Sequence, residues 1–351
     1  MSLLIAGGGL AGAAVACELA RSGVAVTVLE RNTGPIDKVC GDFLSVEGQH
    51  YLQRLGLDLA ALGGAPINRV RVLRGAHVAE AALPFPGLGL SRRVLDEALL
   101  RRAADCGAAV QRGVTAAAGA PGISFLATGK HDLRGVGRTL AAPPEDLVGF
   151  KMYLRLSAAS RQAIAGTVDV LLFADGYAGL QPVDGDRANL CLLVHRDRLA
   201  HSDGWAGLLE DLQAGSRLFR ERLLGAEMLL ERPLSIARVP YGFMHTPREG
   251  ETMFRLGDQA CVVPSFTGDG MAMALHSAAL AARTYLGGGS PADYHRRLRA
   301  DVRGPIMRAG LLYAVGRSRV GQGLLMRALG FWPGMLGRAA RATRVPANVW
   351  V

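Results

Sequence analysis

Lysine is nearly missing from this 351-residue chain: only Lys38, Lys130 and Lys151 occur, and arginine supplies the rest of the 40 basic residues. Acidic residues stop at Asp301, while Arg303, Arg308, Arg317, Arg319, Arg327, Arg338, Arg341 and Arg344 follow it. That asymmetry accounts for much of the formal charge of +10. It suits either a solvated helical face or contact with an anionic partner, meaning lipid head groups or an acidic carrier protein. No nucleic-acid-binding motif accompanies the charge, so no nucleic-acid partner is expected. Cysteine is sparse and odd in number: Cys17, Cys40, Cys106, Cys191 and Cys261 show neither CxxC nor Cys/His ligand spacing. This argues against a disulfide framework and a metal site, and for a reducing, cytoplasmic setting, free or peripheral at a membrane. No apolar, charge-free run of about 20 residues occurs, so no membrane span is expected. There are no internal repeats and no low-complexity segments.

Half of the residues are hydrophobic and a fifth are charged, which supports a large buried core. The length predicts two lobes, sequential or interleaved. The first 17 residues carry no side-chain charge. They lack a basic flank and glycines interrupt them, so a strand–turn–helix explains them better than a signal peptide.

Ser2–Ala6 reads as a strand, Gly7-Gly8-Gly9-Leu10-Ala11-Gly12 as a turn, and the stretch to Gly23 as a helix. A second strand, Val24–Leu29, runs into Glu30-Arg31. This is G-x-G-x-x-G in the context that gives it meaning, with an acid at the end of the second strand. Gly7 permits the tight turn, Gly9 lets the backbone approach a pyrophosphate, and Gly12 lets helix pack on strand. The helix N-terminus presents unpaired N–H groups to the phosphates. Glu30 would accept from ribose hydroxyls, which favours FAD or NAD over a 2′-phosphate. Far downstream, Met253–Leu256 reads as a strand ending at Gly257-Asp258, and Gly270–Tyr285 as a buried, alanine-rich helix. The loop before it holds Pro264, Thr267, Gly268 and Asp269.

The pair GxGxxG…ER and GD…P…TGDGM resembles the FAD-dependent oxidoreductases of the para-hydroxybenzoate hydroxylase fold. Within them, Lys38–Ser45 (KVCGDFLS) is similar to the CG loop of the geranylgeranyl reductase branch. Gly176–Pro182 followed by Ala188–Cys191 resembles that branch's G-Y-x-W-x-F-P and A-N-x-G segments, and Leu90–Asp96 its arginine-bearing helix start. The matches cover roughly residues 1–285.

The resemblance implies that Gly7, Gly9, Ala11 and Gly12 hold the pyrophosphate, with Glu30 on the adenosine ribose and Arg31 beside the adenine. It places Arg92 near the ribityl or phosphate region and Asp258 on the ribityl–pyrophosphate portion. Gly268, Asp269, Gly270 and Met271 would face the flavin's pyrimidine edge. Cys40, Asp42 and Tyr177 become the catalytic candidates. Cys40 remains open between a small packing residue and a thiol whose proton is used, with Lys38 as the neighbour able to lower its pKa.

This chain departs from the family pattern in several places. The third FAD strand ends in Ala127-Thr128-Gly129-Lys130-His131-Asp132, with the acid displaced by three positions, so Asp132 reads as a turn residue. Gln111–Gly122 is too poor in strand formers for the usual small β-meander. Gly179 and Gln181 stand where the segment carries tryptophan and phenylalanine, which opens and polarises that wall. Flavin-dependent halogenases share the fold and add W-x-W-x-I-P; Trp205, Trp332 and Trp350 stand alone, so halogenation is not expected. A second GxGxxG is absent, so NAD(P)H binds transiently or a separate electron donor supplies the reductant.

The expected fold is α/β: a Rossmann-like FAD-binding domain (three-layer ββα) interleaved with a substrate domain of mixed β-sheet plus helices, and a helical C-terminal tail. The FAD-binding domain takes 1–62, 91–146 and 252–300, the substrate domain 63–90 and 147–251, and a basic helical segment 301–351, broken at Gly330 and Pro333. Strands are expected at Val148–Leu156, Val168–Phe173 and Leu190–His195, and helix over 204–225. The function implied is reduction of a carbon–carbon double bond in a lipid-like or carrier-tethered small molecule, with hydride from FAD. The alternatives are FAD-dependent hydroxylation of an aromatic or polyketide-type substrate and a non-catalytic FAD-binding electron-transfer partner.

Overall fold

Gly12 packs so closely on Gly7 that it could not carry a side chain: a Cβ on Gly12 would lie 1.8 Å from the Gly7 carbonyl oxygen. Gly7 itself sits at φ +102°, where L side chains are strained. In the computed structural model, which describes residues 2–117, 119, 121–247, 250–332 and 334–351, this contact locks strand to helix.

The chain opens with β1 (Leu3–Ala6), α1 (Leu10–Arg21), β2 (Val26–Glu30), β3 (Phe43–Leu44) and α2 (Val46–Arg54). It continues through β4 (Ala65–Arg74), β5 (His77–Gly89), α3 (Arg92–Asp105), β6 (Ala109–Arg112) and β7 (Ile123–Leu126). Next come β8 (Leu147–Arg155), α4 (Ala158–Ile164), β9 (Thr167–Phe173), β10 (Gly176–Pro182) and β11 (Ala188–His195). Helices α5 (Arg196–His201), α6 (Gly204–Gly215) and α7 (Arg217–Leu223) precede β12 (Glu227–Met228), β13 (Leu234–Ala237) and β14 (Phe254–Arg255). The chain ends in α8 (Gly270–Leu286), α9 (Pro291–Arg317), α10 (Arg319–Phe331) and α11 (Gly334–Ala342).

Two sheets result. The first is fully parallel in the order β14-β7-β1-β2-β6, with the crossover α1 between β1 and β2. Helix α1 is apolar on nearly every side because it is sandwiched between this sheet, α3 and α8. Its alanines, with those of α8, let the backbones approach closely. The second sheet runs β12-β8-β11-β10-β9-β4-β5-β3, with β13 also on β8, and is antiparallel except for β4 beside β9.

The second sheet separates two packing layers through its alternation. Phe150, Met152 and Leu154 of β8 and Leu190, Leu192 and Val194 of β11 point into a core shared with α6 and α7. The opposite face carries Val72, Leu172 and Tyr177 against Met326 and Leu329 of α10 and Leu336 of α11.

The parallel sheet takes its strands from within 1–62, 91–146 and 252–300, while β3, also within 1–62, pairs with β5 of the second sheet. No strand occurs among the described residues between Arg112 and Ile123, where the meander was expected to be short. The tail departs from expectation. Its first helix runs unbroken from Pro291 to Arg317 across the expected 300/301 boundary, started by a Ser290–Asp293 capping box. The tail is broken twice: at Ser318, which was not expected, and after Phe331, one residue past Gly330, where α10 ends before α11 starts at Gly334. Pro333 lies outside the described residues. The tail also packs back on the second sheet, so it is a layer of the fold and not an appendage.

Gly12→Ala should cost about 3 kcal/mol or more, because the Gly7 carbonyl is backbone and cannot yield. Gly9→Ala, whose Cβ would sit 3.4 Å from the Lys38 Nζ and 3.7 Å from Arg92, should leave stability unchanged. Urea unfolding of the two variants checks the contrast.

Candidate active site

The C-terminal ends of the parallel strands open onto a cavity of about 500 Å³. Gly7, Gly9, Ala11, Glu30, Arg31, Arg92, Asp258, Gly268, Gly270 and Met271 line it, so most of the expected cofactor positions converge. Cys40 and Asp42 line it as well. Gly12 lies behind the turn as the helix–strand spacer. Glu30 is held by its own backbone surroundings: Gly8 N donates to one carboxylate oxygen at 2.8 Å and Asn32 N to the other at 2.9 Å. Arg92 is fixed by Asp96 at 2.6 and 2.8 Å, and Lys38 joins the same carboxylate at 2.7 Å. Burial alone would raise the Asp96 pKa, but Arg92 and Lys38 together hold it below the ordinary carboxylate range.

Asp269 is placed differently from the other cofactor candidates. It is buried away from the cavity, and its carboxylate pairs with Arg344 at 2.6 Å. Burial pushes that carboxyl up to about 6 despite the arginine. Asp132 receives Arg138 Nε at 2.8 Å and steadies its turn, as its position suggested.

The Cys40 loop is stitched down from below. Asp42 takes the left-handed conformation at φ +56° and is completely buried. Its Oδ2 accepts from Lys151 Nζ at 2.6 Å and from the Tyr153 hydroxyl at 2.8 Å. Burial raises the Asp42 pKa, and Lys151 and Tyr153 oppose that rise. Asp42 N donates to Cys40 Sγ at 3.4 Å, and Asn189 Nδ2 to the Cys40 carbonyl at 3.0 Å. Lys38, the neighbour expected to act on the thiol, spends its charge on Asp96 instead. Oδ1 of Asp42 and Oδ1 of Asp37, both at the cavity wall, are buried without a partner in the chain. A cavity at a helix N-terminus, rimmed by a ribose-spacing carboxylate and by unpaired polar atoms, fits FAD.

A second cavity of about 210 Å³ adjoins the first. Cys40, Gly41, Phe43, Lys130, Tyr241 and Ser265 belong to both walls. Its floor is the polar-spaced face of the second sheet: Tyr177, Gly179 and Gln181 on β10, Cys191 on β11, Val168 and Val170 on β9. Gly179 is open, since an added Cβ would meet only the Cys191 carbonyl oxygen, at 3.8 Å. The Nε2 of buried Gln181 has no partner in the chain. Tyr177 and Tyr241 both reach the Ser265 hydroxyl, at 2.5 and 2.9 Å, and burial raises both phenols. Leu336, Ala339, Ala340, Thr343 and Arg344 roof the cavity. Arg344 also stacks on Phe85 at 4.3 Å and Phe43 at 5.6 Å.

Lys151, Tyr153, Lys130 and Arg344 were not among the sequence candidates. Lys151 had a signal, as a lysine inside the apolar strand VGFKMYLRL of a chain with three lysines. Arg344 had none, because its partner lies 75 residues away at Asp269.

Residues 1–118 match the family model of an FAD binding domain. Among solved structures, the flavin-dependent brominase Bmp2 is 15% identical with a TM-score of 0.78, over 100% of this chain and 95% of that one. The flavin-dependent halogenase CmlS is 20% identical with a TM-score of 0.72, over 90% of this chain. This chain spans 64% of the length of CmlS. A flavoprotein/dehydrogenase from Cytophaga hutchinsonii is 16% identical with a TM-score of 0.72, over 91% of this chain and 88% of that one. At these identities the likeness shows a shared α/β fold.

Lys151→Met should destabilise the protein by about 3–5 kcal/mol, because it leaves Asp42 charged and alone in the interior. Adding Asp42→Asn should recover most of that loss. Chemical denaturation of the single and double variants measures it.

Proposed function

We propose that the protein is an FAD-dependent oxidoreductase that reduces a carbon–carbon double bond of a neutral, largely apolar substrate. One observation carries this reading: a cofactor-sized cavity and an apolar cavity meet at the half-buried thiol of Cys40. FAD, when bound, supplies the hydride chemistry. Gly7, Gly9, Ala11 and Glu30 would hold its adenosine and pyrophosphate portion, and Arg92, Asp258, Gly268, Gly270 and Met271 the flavin end. The N-terminus of α8 directs a positive dipole end toward that region.

The remaining work falls to the chain. Asp42, through its N–H to Sγ, positions the Cys40 thiol at the seam, where it can deliver the proton that completes reduction. The valines of β4 and β9 exclude water from the reacting bond. Arg344 is already neutralised by Asp269, so it does not favour an anionic substrate. Gln181 leaves one buried donor, which suits a single acceptor oxygen on an otherwise apolar molecule. The second reading, FAD-dependent hydroxylation, draws on the same Gly179 and Gln181, since an open and polar floor also accepts an aromatic ring.

Oxygen separates the two. Under anaerobic conditions the reductase reading expects turnover with one equivalent of NAD(P)H, or of a protein donor, consumed per double bond. An absolute requirement for oxygen would transfer the assignment to hydroxylation. Cys40→Ala should keep its FAD absorbance and lose about 100-fold in turnover. Full turnover in that variant would return the thiol to packing.

A further inference from the structure

Twelve large apolar side chains stand exposed among the described residues, and seven of them fall between Met307 and Met335. Met307 and Leu311 lie one turn apart on α9, Val320 and Leu324 one turn apart on α10, and Phe331 and Trp332 at its end are 79% and 68% exposed. These helices form one layer. Helix α9 packs on β9 and β10, and α10 and α11 pack on β5, against the same face of the second sheet. Helix α9, whose first half packs on α8, is joined to α10 along the hairpin and to the end of α11 through Arg308 and the Ala342 carbonyl.

That layer is cationic. Arg303, Arg319, Arg327, Arg338 and Arg341 are exposed, and the described residues give them no ion pair. No acid follows Asp301 to offset them. The other tail arginines have partners: at the surface Arg308 donates to the Ala342 carbonyl and Arg317 pairs with Glu145, and the buried Arg344 pairs with Asp269.

We infer that the outer face of α9–α11 docks on an anionic lipid bilayer. Arginines interleaved with aliphatic side chains and a terminal Phe-Trp pair are what an interfacial helix presents to head groups and the upper acyl region. A second copy of this chain is the poorer occupant, since it would bring an identical positive face to a protein of net charge +10. An acidic protein would satisfy the arginines but leave the apolar stripes of three helices to be explained. The placement also has a consequence for access. The inner side of α11 roofs the apolar cavity with Leu336, Ala339 and Ala340, while Met335, Arg338 and Arg341 face outward. A bilayer seated there lies directly over the roof of the cavity.

The test uses the FAD-loaded full chain and vesicles, without turnover, so its failure is separate from any failure of the redox reading. The protein should co-sediment with vesicles of equimolar phosphatidylglycerol and phosphatidylcholine, bind phosphatidylcholine alone at least ten-fold more weakly, and be released by salt. Tryptophan emission should shift to the blue on binding, and Trp332→Phe should abolish that shift. Leu324→Glu with Phe331→Glu, and separately Arg327→Glu with Arg338→Glu, should each weaken binding roughly ten-fold or more while keeping bound FAD. The inference is overturned if the wild-type protein stays in solution with anionic vesicles at low salt. It is equally overturned if both lipid compositions bind alike, or if sedimentation velocity shows a dimer that shields Trp332 without lipid.

Discussion

The pairing of Asp42 with Lys151 is the constraint on which the site depends. Two charges with no solvent exposure each cost several kcal/mol to desolvate, and only short, well-directed contacts offset that cost. The 2.6 Å contact and the Tyr153 hydroxyl provide them. A packed apolar pair could stabilise the same volume equally well, so the ionic pair is better understood through what it specifies. It ties the loop after β2 to the centre of β8, holds Asp42 in a left-handed conformation that aspartate tolerates, and aims the Asp42 N–H at the thiol. The Cys40 position follows from that chain of contacts.

The Asp269–Arg344 pair does comparable work on the opposite wall. A carboxylate at the start of α8 would oppose the positive end of the helix if it faced the cofactor cavity. Asp269 instead turns inward, and Arg344 neutralises it, leaving Gly268, Gly270 and Met271 to line the cavity. The same guanidinium, stacked on Phe85 and Phe43, draws the tail over the second cavity. One ion pair thereby sets the field at the helix terminus and closes the apolar chamber.

Local patterns made much of this legible from the chain alone. The turn at Gly7–Gly12 and the acid at Glu30 are read from spacing, because the chemistry of a pyrophosphate site is confined to one strand–turn–helix. The strands β8, β9 and β11 are read from β-branched and aromatic runs, and fall within a few residues of expectation, whereas β10, rich in glycine, was not read as a strand. Contacts between distant segments were not legible. Lys38 sits two residues from Cys40, which suggested an influence on the thiol, yet Asp96 of α3 claims it. Asp269 stands inside a glycine motif that faces the cofactor, yet the tail claims it. In both cases proximity in sequence lost to a stronger partner brought in by the fold.

The tail carries the same lesson in its charge. As a sequence it is one block of eight arginines without an acid, and its simplest interpretation is a uniformly basic surface. The fold divides it, burying Arg344 against Asp269, engaging Arg308 and Arg317 at the surface with the Ala342 carbonyl and Glu145, and leaving the rest among exposed aliphatic and aromatic side chains. Helix α11 shows why the division matters. With nine residues it has little more than two turns, yet it presents Leu336, Ala339 and Ala340 on one side and Met335 beside two arginines on the other. A helix that is apolar toward its own protein needs no apolar residue outside. That α11 and α10 both have them is what the inferred bilayer contact would require, and the arginines would set the sign of the surface it meets.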